Sequence, residues 1–412
     1  MMQWILAGLL VAMGATSGCA ARADVVVDWN ELANVTSESD DMAQSAPSST
    51  WTPKEEAEEI VAVAIFQAVN TVSPRYRPFR EALPAPTPGA SAIAAAVAAG
   101  HGALVALFPD RKARLDDAFE LALASMPDTA ARRAGIAVGE QAAQQIIGWR
   151  IADNSAPAMP YRPNAPPGKW VPTTPTTIPP YFWSSRPWLM SSLSQFRPSP
   201  PESLSSEAWA RDYNEVRRLG ERESASRPAE WTRLATFYAQ WRHAPLIRQV
   251  AGLPGRTLEQ NARLYAMATM AVADAEAAMA DGKLFYEFWR PVTAIRNGDE
   301  DGNEATERQA DWEPLLKTPM HPEYPCGHCV AISALTTVLA AEASAPAGAI
   351  AVTSDAMPGV VRYVASWSTL AEEISVSRIY AGAHFRNSVD TGNALGKQVA
   401  EFALRGFLVP VH

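Results

Sequence analysis

Three short stretches in the last third of the chain carry residue types able to hold a multiply charged oxyanion. They are Lys283 with Arg290-Pro291, then Pro325-Cys326-Gly327-His328, then Ser377-Arg378 followed by Gly382 and His384. Lys283 offers a compact ammonium, whereas Arg290 and Arg378 offer planar forks that can meet two oxygens at once. Gly327 opens an apolar helical run, and the lack of a Cβ there lets backbone N–H groups approach an anion at the favourable end of the helix dipole. Cys326 stands beside it, the remaining candidate for oxyanion contact in this stretch. His328 has the intrinsic acidity for general acid–base work near neutrality, and His384 can present a ring nitrogen as nucleophile or metal ligand. Each piece alone has an ordinary explanation: a pair of solvated cations, an imidazole capping a helix start, a buried structural histidine. Their joint occurrence in one order outweighs those explanations. His321, in the run His321-Pro322-Glu323-Tyr324-Pro325, is read as structural.

The elements that must position these residues read as helices. Lys283 lies on a long helix from Leu258 to about Phe288, and its spacing to Arg290 puts both on one face if the helix continues. Helical periodicity also marks residues 91–108, 111–126, 128–152, 205–219, 229–242, 328–342, 366–383 and 389–407. Thr52-Pro53-Lys54-Glu55 has the form of a capping box that starts another helix, and the Ser/Asp/Glu-rich stretch before it reads as a loop. From Pro157 to Pro201 the chain is rich in proline but interleaves Trp170, Tyr181, Phe182, Trp183 and Trp188. So many aromatics need burial, so this interval reads as an ordered, irregular wrap, with a part in a substrate funnel as its functional alternative. Asn297 to Asn303 reads as a solvated acidic turn, since it lacks the bidentate Glu of a calcium loop. Strand signals are few. The expected fold is all-α, two packed helical bundles with the anion site between helices, divided as residues 24–202 and 203–412.

The composition bounds the rest. The 412 residues are 48% apolar and carry a net charge of -9. That acidity excludes a nucleic-acid binder and makes the basic cradle a local feature. The apolar run Trp4 to Ala15 is too short to cross a bilayer comfortably, and Ala21-Arg22-Ala23 resembles a signal-peptidase site. Residues 1–23 are therefore expected to be a signal peptide, giving a periplasmic or extracellular protein with no transmembrane segment, or one anchored by lipid at Cys19. Homo-oligomer formation stays open. Cys326-Gly327-His328-Cys329 has the spacing of a thioredoxin-type redox pair, but that motif belongs after a strand in a βαβ unit and the surroundings here are helical. It reads as two small residues packed at a helix start, with a disulfide after export as an option.

The three stretches resemble, in order and spacing, the superfamily that joins vanadium-dependent haloperoxidases to type 2 phosphatidic acid phosphatases. The likeness extends to Asp28-Trp29-Asn30, to Ala68-Val69-Asn70 through Pro78, to Phe288 through Arg296, to His321 through Pro325, and to Thr353-Ser354-Asp355 with Met357-Pro358-Gly359. These are similar to the bacterial haloperoxidase-like branch. The resemblance implies an all-α fold, vanadate as cofactor, and small-molecule substrates: halide and hydrogen peroxide. It implies that Lys283, Arg290, Gly327 and Arg378 bind the vanadate oxygens, that His384 bonds the metal, and that His328 is the acid–base residue. In the phosphatases the matching cradle holds phosphate and the residue matching His384 is the nucleophile, so an acid phosphatase acting through a phospho-histidine is the alternative. A non-catalytic oxyanion-binding protein is a third reading. Two positions depart from the pattern. The family has Ser where this chain has Cys326, and a thiol donates weakly and oxidises readily, which counts against robust peroxidase turnover. The phosphatase pattern has Asp where this chain has Ser388, and Asp390 is misplaced to orient His384 on a continuous helix.

The export reading has a direct test. Mass spectrometry of natively expressed protein is expected to find Asp24 as the first residue. A diacylated Cys19 would mark lipoprotein processing, and a full-length cytosolic species would overturn both.

Overall fold

The computed structural model describes residues 24–41, 53–151, 165–173, 186–343 and 349–411. The expected signal peptide with Cys19, Thr52, and the aromatics Tyr181, Phe182 and Trp183 lie outside the described residues. The described chain is helical, as expected. The helices are α1 (Val25–Asp41), α2 (Ala57–Val72), α3 (Ala92–Leu107), α4 (Lys112–Leu123), α5 (Ala130–Ile151), α6 (Glu207–Leu219), α7 (Ala229–Phe237), α8 (Ala244–Ala251), α9 (Leu258–Tyr286), α10 (Pro291–Arg296), α11 (Gly327–Glu342), α12 (Trp367–Tyr380) and α13 (Arg386–Gly406). One antiparallel hairpin, β1 (Ile350–Thr353) with β2 (Val361–Val364), pairs Ile350 with Val364.

Two groups of helices meet on α9. On one side α2, α3 and α5 pack together, and on the other α11, α12 and α13 do so; α9 touches α2, α11 and α13. This explains why α9 shows no clear amphipathic stripe in the sequence: it is apolar nearly all round, as a central helix must be. Thr257 and Gln260 form its capping box. Helices α11 and α13 approach closely because α13 presents glycine. A Cβ on Gly396 would lie 2.1 Å from the Val330 carbonyl oxygen.

Several local expectations need correction. Residues up to Asp41, read as an opening segment and loop, form α1, whose Trp29 is buried. The segment after Thr52 enters α2 through a 3-10 turn, Pro53–Glu56, and the cap residue is Glu56, with no side-chain cap bond. Helix α7 stops at Phe237 and a further short helix, α8, follows. The acidic turn near Asn297–Asn303 is docked rather than solvated: Asp301 is buried, accepting from Trp209 Nε1 at 2.8 Å and Thr306 Oγ1 at 2.8 Å.

One carboxylate anchors the described part of the Pro-rich wrap. Asp274, buried on α9, accepts from the backbone N–H groups of Trp188, Leu189 and Met190 at 2.6 to 2.8 Å. Arg197 forks onto Asp281, and the hydroxyls of Tyr286 and Tyr324 donate to the carbonyls of Pro198 and Ser199. The strap is thus tied both to α9 and to the motif loop. Replacing Asp274 by Ala strands three buried N–H groups, and we expect a loss of about 3 kcal/mol of stability, measured by urea unfolding followed through tryptophan fluorescence.

Candidate functional site

The sequence places Lys283 and Arg290 on one continuous helix, and the structure does not. Helix α9 ends at Tyr286, and Glu287 takes a left-handed conformation with φ of 48°. The chain then runs extended, pairing with the wrap through Trp170 N to Glu287 O at 2.7 Å and Trp289 N to Gly168 O at 3.1 Å. Arg290 is the extended residue just before α10, and Pro291 opens that helix. The break lets Arg290 turn inward, where it is fully buried.

The loop 321–326 crosses beneath this junction and brings the second stretch in. Glu323 N bonds to Phe288 O, and Cys326 N bonds to Ser388 O. Cys326 caps α11, Gly327 is the first helical residue and His328 the second, so the apolar helical start read from the sequence is real. The third stretch straddles two helices. Arg378 sits in the last turn of α12, and His384 lies in the turn before α13. Gly382 makes that turn possible, with φ of 72°, and a Cβ there would come within 2.6 Å of the Gly220 carbonyl oxygen.

The three cations behave differently. Lys283 Nζ donates to the carbonyls of Pro322, Glu323 and Pro325 at 2.9, 2.8 and 2.6 Å, which occupies all three ammonium hydrogens. It clamps the motif loop, and its charge reaches an anion from behind that loop. Arg290 donates from Nε to His321 O and from Nη1 to Ala383 O, and its remaining bonds go to imidazole nitrogens: Nη1 to His384 Nε2 at 3.1 Å and Nη2 to His321 Nδ1 at 3.0 Å. Arg378 is buried, and its Nε and Nη1 have no hydrogen-bond partner. Unpaired buried guanidinium nitrogens are costly, and they are what a site built for an anion holds ready.

His384 is held at both ring nitrogens. Glu323 Oε1 lies 2.8 Å from Nδ1, and the same oxygen accepts from Phe385 N at 3.0 Å. Arg290 is a permanent donor, so Nε2 is the acceptor and Nδ1 carries the proton, an assignment made from the bonding pattern. Ser388 Oγ is more distant, at 3.4 Å from Nδ1. His328 makes one long contact, Nε2 to Ala239 O at 3.4 Å. Burial is the main cause that pushes His384 and His328 well below the usual histidine range, and neighbouring cations add to it: Arg290, Lys283 and Arg378 at His384, Arg378 and Arg290 at His328. Both imidazoles are therefore neutral. Burial also pushes Arg290 down to about 9 and Arg378 down to about 10. Burial raises Glu323 to about 7 against the pull of Arg290 and Lys283.

Cys326 is corrected. It is joined to Cys329 by a disulfide, so it has no S–H to donate to an anion, and its Sγ instead accepts from Cys329 N at 3.3 Å. The thiol oxidation expected from the sequence does not apply to a sulfur already in a disulfide. The expected lack of an orienting acid is corrected too. Ser388 does stand where an Asp is expected, but Glu323 supplies the carboxylate from another loop. The sequence reading missed Glu323 because it sought acids only just after His384, and it set aside His321, whose ring contacts Arg290. The signal available was a lone Glu between Pro322 and Tyr324 in the quoted motif run.

The donor set fits vanadate or phosphate: unpaired guanidinium nitrogens on Arg378, Arg290, a backbone N–H at the α11 start beside Gly327, and the Nε2 lone pair of His384. Residues 263–408 match the family model described as the VCPO second helical-bundle domain. The fold is shared with a bacterial vanadium-dependent iodoperoxidase, at 24% identity and TM-score 0.74, covering 94% of this chain and 96% of that chain. It is also shared with a bacterial vanadium-dependent chloroperoxidase in two forms, each at 17% identity and TM-score 0.65. The apo form covers 84% of this chain and 90% of that chain, and the holo form 92% and 91%. No curated protein matches the sequence. The family-model match falls on the part of the chain that carries all three stretches.

An unpaired buried cation trades stability for binding. Arg378→Met is expected to raise the melting temperature of the anion-free protein while weakening orthovanadate or phosphate binding by about 2–4 kcal/mol, read by calorimetric titration. Equal affinity in variant and wild type would remove Arg378 from the cradle.

Proposed function

We propose that the protein is a vanadate-dependent haloperoxidase-like enzyme that oxidises halide with hydrogen peroxide. The observation that carries this reading is His384 held with its Nδ1 on Glu323 and its Nε2 toward Arg290, close enough to feel the charge of Arg378, whose buried Nε and Nη1 are unpaired. The fold shared with the bacterial iodoperoxidase and chloroperoxidase supports it.

Vanadate, bound there, would supply a Lewis-acidic centre that activates peroxide without changing oxidation state. The residues of this chain do the rest. His384 Nε2 would offer the group a nitrogen ligand. Arg378 and Arg290 would neutralise charge on its oxygens, and their burial would strengthen those contacts by excluding water. Lys283 fixes the loop that carries Glu323 and adds positive charge without direct donation. His328, neutral and in the first turn of α11, takes or returns a proton at Nε2, for which Ala239 O is only a weak competitor at 3.4 Å. The Cys326–Cys329 disulfide removes the oxidisable thiol from this surround.

A second reading has its own observation. A carboxylate 2.8 Å from His384 Nδ1 also suits an imidazole nucleophile, so hydrolysis of a phosphate ester through phospho-His384 shares the same geometry. Paired assays on purified protein separate the two. For the haloperoxidase, vanadate-loaded protein is expected to turn over iodide or bromide with peroxide, and His384→Ala to abolish it. Cleavage of a chromogenic phosphate ester without vanadate, with vanadate as inhibitor, would replace that reading by the phosphatase. Anion binding with neither activity would leave a non-catalytic oxyanion-binding protein.

A further inference from the structure

We infer that Glu323 is the positioning residue of this site: it fixes His384 as the Nδ1–H tautomer and aims Nε2 at the anion, in place of the acid that Ser388 replaces. The inference rests on reading His384 as the residue that would bond the anion. Four observations carry it. Glu323 Oε1 lies 2.8 Å from His384 Nδ1, whereas Ser388 Oγ lies 3.4 Å away, so the carboxylate is the dominant acceptor. The same oxygen accepts from Phe385 N at 3.0 Å, which ties the imidazole and its own backbone turn to one atom. The carboxylate is fully buried, and Oε2 has no hydrogen-bond partner. A side chain kept for packing alone would not be a buried acid. Its backbone is also pinned at both ends: Glu323 N bonds to Phe288 O, and Glu323 O accepts from Lys283 Nζ. The Glu323 carboxylate is thus delivered by a loop clamped to α9, with a fixed reach to His384.

The Nε2–Arg290 contact alone cannot do this work once an oxyanion takes the Arg290 donors. Only the bond at Nδ1 persists, and a negatively charged acceptor there raises the basicity of the opposite nitrogen.

The test is Glu323→Gln, which keeps the shape and removes the charge. Two readouts are used: orthovanadate affinity by calorimetry, and the downfield Nδ1–H proton resonance of His384, assigned by its loss in His384→Ala. The variant is expected to lose affinity about 10- to 100-fold and to move that resonance upfield. Adding Ser388→Asp to it, which brings a carboxylate to the second position near Nδ1, is expected to recover both. Unchanged affinity would overturn the inference, as would lost affinity with an unmoved resonance, which would make Glu323 a packing residue. If Glu323→Gln does not fold, Glu323→Asp is read by the same two criteria, with partial loss and a shifted resonance expected. A wild type that binds no orthovanadate would sink the proposed function, and the resonance shift would still decide the role of Glu323.

Discussion

Buried positive charge governs this structure. Lys283, Arg290 and Arg378 are all nearly inaccessible, and Glu323 is the buried carboxylate set among them. Removing each charge from water costs several kcal/mol after relaxation. The protein offsets that cost unevenly. Lys283 is fully solvated by carbonyls, Arg290 by carbonyls and imidazoles, and Arg378 only in part. The gradient has a direction: the cation with most unmet demand is Arg378, on α12. The fold thus carries an electrostatic deficit of its own at Arg378, which the proposed oxyanion would relieve.

That deficit is sustained by geometry at helix ends. None of the site residues sits mid-helix: Lys283 is in the last turn of α9 and Arg378 in the last turn of α12. The left-handed Glu287, the loop under Phe288 and the Gly382 turn each redirect the chain within a few residues. Helix ends and loops leave backbone N–H and C=O groups unpaired: carbonyls here serve Lys283 and Arg290, and N–H groups at the α11 start would be donors for the proposed anion. The strap held by Asp274 and by Tyr324 stabilises the same corner from outside, so the wrap is part of the site's support.

The sequence made the helices and the basic cradle legible because both rest on local signals. Periodicity locates α9, α11 and α13 to within a few residues, and cations with imidazoles in a fixed order mark the anion. What it could not show was decided over long separations. The Glu323–His384 contact spans 61 residues, so no spacing rule reaches it. The same holds for Lys283, whose type announces a cation but whose three carbonyl partners lie on a different loop. Arg290 was placed on the wrong side of a break because Glu287 carries no glycine to announce its left-handed turn. Asp301 looked like a solvated acid and is a buried acceptor for Trp209, a partner remote in sequence.

The disulfide is the clearest case of one residue serving two demands. A Ser at position 326 would cap α11 and donate to the anion. Cys326 still caps α11 through Sγ, yet bonded to Cys329 it donates nothing. The cradle is therefore one donor poorer than the pattern it resembles, and more of the proposed anion's charge would fall on Arg378 and on the α11 N–H groups. In return the sulfur at the start of α11 is already in a disulfide and no longer an oxidisable thiol. The loss is electrostatic and the gain is chemical durability. The unpaired nitrogens of Arg378 are what let the site accept that exchange, because they leave donors free where the hydroxyl is missing.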